Sequence, residues 1–135
     1  MQQLSRLEAP SLEEFDALAA EAYARLPKTF RDLAGNIIIR VQDFPEDDVL
    51  DDMKAESEFD LLGLFQGVGL AQAEELSHTG ALPNMIFLYR RPILDYWAEH
   101  RETLGAIVSH VLIHEIGHHF GLSDSDMERI ESEAS

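Results

Sequence analysis

Between Ser11 and Leu26 the apolar residues Leu12, Phe15, Leu18, Ala22 and Leu26 recur at three- to four-residue intervals, with acidic residues between them. That period lines them up on one stripe of an α-helix. Ser11 and Glu14 have the spacing of a capping box, in which each side chain satisfies the other's backbone N–H. The pattern predicts an amphipathic helix over 11–26, stopped near Pro27 and lying over one side of a sheet, with residues 1–10 as a loose lead-in. After Gly35-Asn36 the pattern changes. Ile37-Ile38-Ile39-Arg40-Val41 is rich in β-branched residues and predicts a strand over 36–43. Leu61–Gly67 and Met85–Tyr89 predict two more strands. Gly63 and Gly67 either let another backbone approach the first of these closely or mark a bulge. Residues 68–83, with His78, read as a long loop or flap. Residues 93–100 predict a short helix packed by Ile93, Leu94 and Trp97, with His100 at its exposed end. A longer helix follows over about 102–120. Its first part, Leu104 to Ile113, is apolar almost all round, which marks it as buried. Ser123 reads as the N-cap of a last helix over 124–132. Together these elements predict a single α+β domain over 1–135, a small sheet of about three or four strands with helices on one side.

Composition narrows the partners rather than the fold. The 135 residues carry 26 acidic against 10 basic side chains, a formal charge of −16. Such a surface repels phosphate backbones and anionic lipid, so neither nucleic acid nor membrane is an expected partner. The absence of cysteine excludes disulfides, thiolate metal sites and cysteine nucleophiles together. Met1–Glu8 lacks the apolar core of a secretory signal, and no apolar run reaches membrane-spanning length. The expected location is the cytoplasm. Eight acidic residues fall between Pro45 and Asp60. Their spacing does not match a calcium-binding EF-hand loop, so the segment reads as a solvated connection with a short helix over 47–55.

The chemistry concentrates in His114-Glu115-Ile116-Gly117-His118-His119-Phe120-Gly121-Leu122-Ser123-Asp124. On a helix His114 and His118 are offset by only about 40°, one turn apart on the same face, where two imidazoles reach one ion of zinc size. Glu115 lies about 60° from His118, near enough to touch a metal-bound water but poorly placed to be a ligand. Polar side chains on a buried helix need partners, and a shared ion supplies them. Gly121 reads as the helix terminator, after which the chain turns and can return Asp124 to the open side of the ion. His114, His118 and Asp124 thus make the three protein ligands of a catalytic zinc site, whose fourth position is left to water. His110, one turn before His114, and His119, rotated about 100° from His118, read as buried, hydrogen-bonded residues, with His110 a possible supporting partner of the site. Arg90 and Arg91 read first as partners of structural carboxylates, and second as an oxyanion or carboxylate clamp.

This pattern resembles the extended zinc-binding motif of the metzincin-type zincins, with Asp124 where they carry a third histidine. The chain is similar to a family of small bacterial zincin-like metallopeptidases with a minimal metalloprotease fold. Leu61-Leu-Gly-Leu-Phe-Gln-Gly67, Pro83-Asn-Met-Ile-Phe-Leu-Tyr-Arg-Arg-Pro92 and His114–Asp124 carry the likeness, which is loose before residue 60. The resemblance implies a small mixed sheet packed on the active-site helix, Zn2+ as the metal, His114, His118 and Asp124 as its ligands, Glu115 as catalytic base, and a peptide or protein substrate. Metzincins place a methionine turn well after the motif. Only eleven residues follow Asp124 in this sequence, so Met127 is not assigned that part. A metal-binding domain without turnover, acting as a binding or regulatory module, is the alternative. A metal-dependent ribonuclease is a third reading, which the charge and the absence of a basic stripe oppose.

Overall fold

A computed structural model describes residues 4–67 and 84–134. Helix α1 (Leu12–Ala24) begins with the capping box. The Ser11 hydroxyl accepts from the Glu14 N–H at 3.1 Å, and the Ser11 N–H donates to the Glu14 carboxylate at 3.0 Å. Pro27 does more than stop this helix. It opens a second one, α2 (Lys28–Ala34), which buries Phe30 and Ala34 one turn apart and ends at Gly35 with φ of 67°. Helix α2 is not visible in the hydrophobic pattern, because seven residues give too little periodicity.

The remaining elements lie where the pattern places them: β1 (Ile37–Gln42), α3 (Asp47–Asp52), β2 (Gly63–Gln66), β3 (Asn84–Tyr89), α4 (Arg90–Glu99), α5 (Leu104–His119) and α6 (Asp124–Ala134). The architecture is the expected α+β one, and its three described strands form a mixed sheet in the order β1-β3-β2. β1 runs parallel to β3, with Ile39 opposite Ile86, while β2 is antiparallel to β3, with Gly63 opposite Leu88. β2 is therefore an edge strand among the described residues. The loop or flap expected over 68–83, with His78, lies outside the described residues.

Helix α5 is the centre of the molecule, packing against α1, α4, α6, β2 and β3. Its Val108, Leu112, Ile113 and Ile116 are fully buried beside Phe15 and Ala19 of α1 and Ile86 and Leu88 of β3. Within α4, Ile93 is buried as expected, but Trp97 is 38% exposed rather than packed inside. The helix is anchored instead at its start. Arg90 donates to the Pro10 carbonyl at 2.6 Å and to Asp43 at 3.0 Å, tying the lead-in and the end of β1 to it. Arg91 lies 5.5 Å from the centre of the Phe44 ring. The structural reading of Arg90 is the one the fold adopts.

Gly63 earns its place by close approach rather than by backbone freedom. A Cβ there would stand 2.7 Å from Cγ1 of Val111 on α5 and 2.9 Å from the Phe87 carbonyl oxygen. Neither a buried side chain nor a paired strand's backbone can give way cheaply. Gly63→Ala should therefore cost about 1–3 kcal/mol through overpacking. Urea unfolding reads this directly, and an unchanged midpoint would contradict the tight seat of β2 on α5.

Candidate metal centre

The helix that carries the motif is held at both ends. At its start the Thr103 hydroxyl accepts from the Ala106 N–H at 3.1 Å. At its end Gly121 takes the left-handed conformation, φ 75°, as its position in the sequence predicts. The Leu122 N–H then reaches back to the Gly117 carbonyl at 2.9 Å and the Gly121 N–H to the His118 carbonyl at 3.2 Å. This pair of bonds closes the helix and reverses the chain. Ser123 starts α6 in the expected manner. Its hydroxyl accepts from the Asp126 N–H at 3.1 Å, and its own N–H donates to the Asp126 carboxylate at 3.3 Å. Asp124 is thereby the first residue of α6.

Met127 fixes how α6 lies on α5. It is fully buried, and a Cβ added at Gly117 would come within 2.6 Å of its sulfur. A glycine between the two motif histidines thus lets a methionine of the returning helix press against the motif. Composition alone does not show this, because it depends on how sharply the chain reverses at Gly121.

His114 and His118 stand edge to face with ring centres 5.7 Å apart, one turn apart on α5. His118 and Asp124 are exposed, whereas His114 is partly covered. Burial lowers the His114 pKa first, and the neighbouring His110 lowers it further. Glu131 and Asp124 pull it the other way, with His118 again lowering it. The net effect keeps this imidazole neutral, the form that binds a metal. Its Nε2 atom is buried and has no hydrogen-bond partner. A buried nitrogen left unpaired costs about 1–3 kcal/mol. A cation at that atom removes the cost, and imidazole and carboxylate donors are those that suit zinc. The residues present fit the ion.

Glu115 is half-buried, and burial raises its pKa against a smaller lowering by His118. Close to it is Tyr89, 1% exposed, whose hydroxyl is pushed up to about 12 by burial and then by the charges of Glu46, Glu115 and Asp48. Tyr89 is therefore a neutral donor.

Two histidines differ from expectation. His110 is half exposed rather than buried. Its ring stacks on that of His114 at 3.9 Å, and its Nδ1 bonds to Glu131 at 2.6 Å. His119 is exposed as well, but its ring lies 4.1 Å from that of Phe65 and so braces β2. His100 sits at the exposed end of α4, as read, with Nδ1 2.7 Å from the Tyr96 carbonyl.

Among the described residues, one trio of metal-binding side chains has all its donor atoms within 4.8 Å of one another: His110, His114 and Glu131. His114, His118 and Asp124 share one region but do not close into such a set. Glu131 was missed by sequence reasoning. A signal for it existed, since Asp124 and Glu131 are seven residues apart on one helix and hence about 20° apart around it.

Residues 34–134 match the family model described as a zincin-like metallopeptidase. The match takes in the whole sheet, the motif and α6, and leaves out α1. No curated protein matches the chain.

Proposed function

Since the chain belongs to the zincin-like metallopeptidase family, we propose that it is a zinc-dependent peptidase, with His114, His118 and Asp124 holding the ion and Glu115 as general base. Family membership supports a metal-dependent, peptidase-type function. The finer assignment is supported above all by one observation, the buried and unpartnered Nε2 of His114. It lies on a helix that also carries His118 and a proton-avid Glu115.

A zinc ion bound there supplies Lewis-acid activation of a carbonyl and of a water. The chain's own part is proton transfer and positioning. Glu115 takes the proton of the attacking water and passes it to the leaving amine. Its partial burial strengthens it as a base, since removal from water disfavours the charged carboxylate. The edge strand β2, seated against α5, offers backbone groups to an extended peptide by strand addition. A protein or peptide substrate suits the −16 chain better than nucleic acid does. No described helix is long and apolar enough to cross a membrane.

Metal removal is the test. Chelation should abolish cleavage of an unfolded protein substrate, and one equivalent of zinc should restore it. Full zinc loading with no cleavage of peptides would instead favour the binding or regulatory module, and cleavage of RNA alone would favour the ribonuclease.

A further inference from the structure

The geometry points to a second cation station on the same helix, formed by His110, His114 and Glu131 and sharing His114 with the His118 and Asp124 position. It concerns metal binding alone and stands whether or not the chain cleaves peptides. The spacing from His110 to His114 repeats that from His114 to His118, so α5 presents three imidazoles in successive turns. Neighbours in that row are offset by about 40°. Opposite the first two, α6 delivers Glu131 as a bridge. One of its oxygens lies 2.6 Å from His110 Nδ1, and the other stands 4.0 Å from His114 Nε2. The second distance is too long for a hydrogen bond. The unpaired nitrogen of His114 therefore faces a carboxylate oxygen across a gap, with a second imidazole alongside. All three donors lie within 4.8 Å of one another. Two imidazoles and one carboxylate are a zinc-type donor set, with room for water as a further ligand.

The surroundings give an ion a way in. His110 borders a cavity of about 200 Å3 that Leu62, Tyr96 and Val111 also line. Glu131 borders a cleft of about 580 Å3 between α1, α5 and α6. The His110 and Glu131 side chains are 52% and 34% exposed, so their donor atoms exchange water for metal without opening the core.

His114 offers one buried Nε2, and that nitrogen binds one ion at a time. The chain therefore holds a single ion with two alternative positions on one helix. Around the helix Glu115 lies about 60° from His118 but about 140° from His110. An ion held by His110 and Glu131 is displaced from that end of the row, away from the base. This station retains metal without presenting it to Glu115.

Cobalt(II), which reports its ligands by visible absorption, tests the station in the full-length chain carrying His118→Ala and Asp124→Ala together. That variant should still bind one cobalt per chain. Adding Glu131→Gln should weaken binding at least tenfold, and adding His110→Asn to the same background should do likewise. Circular dichroism confirms that each variant is folded. All the substituted side chains are at least partly exposed, so folding is expected to survive. If the double variant binds no cobalt at millimolar metal, or if neither added substitution weakens it, the station does not exist. Peptide cleavage does not enter this test, so a failed peptidase reading and a failed second station are told apart.

Discussion

Glu115→Gln is expected to lower kcat for peptide cleavage by about 100- to 10,000-fold, the usual contribution of a positioned general base. Bound zinc should stay unchanged, because Glu115 lies off the line joining His114 and His118. The amide keeps the shape of the carboxylate but cannot accept the proton of the attacking water. The same residue sets the acid limb of the pH profile. Burial raises its pKa above the ordinary 4.5, and the partial lowering by His118 does not cancel this. The base works ionised, so activity should fall as pH drops through a value above 4.5, not at the ordinary glutamate value. The His114 pKa is shifted the opposite way, down from 6.5, chiefly by burial, which favours its neutral, metal-binding form. Steady-state rates from pH 4 to 8, with elemental analysis of both proteins, read all of this. A Gln variant retaining a tenth or more of wild-type kcat would remove Glu115 from the role of base.

Met127→Ala is expected to destabilise the fold by about 2–5 kcal/mol, the range for emptying a buried methionine site. Met127 has no exposed surface and lies against Gly117 in the motif itself. The cavity would open at the contact that holds α6 on α5. Asp124 and Glu131 both ride on α6, so metal affinity should fall along with stability. Met127→Leu conserves volume and should cost less than about 1.5 kcal/mol. Urea midpoints for the two variants, with zinc content measured on the same samples, check the claim. If the alanine variant keeps the wild-type midpoint, Met127 is not the clamp between the helices.

Much of this protein is local and therefore readable along the chain. The capping box at Ser11 and Glu14, the β-branched run of β1, the left-handed Gly121 and the Ser123 N-cap each depend on residues a few positions apart. The same holds for the shared face of His114 and His118, which follows from helical period alone. The short helix α2 escaped because one buried pair, Phe30 and Ala34, is too little pattern to recognise.

What no local rule supplies is the way helices meet. Gly63 beside Val111, Met127 beneath Gly117, the exposure of His110 and the approach of Glu131 to His114 all join separate elements. Each is set by the angle at which α6 returns across α5 and by the seat of β2 on the same helix. The sequence by itself determined every described α-helix and strand but α2, together with the motif and the two histidines of one helical face. Only the tertiary structure decided which carboxylates stand opposite them, because that choice rests on packing between residues that the chain order keeps apart.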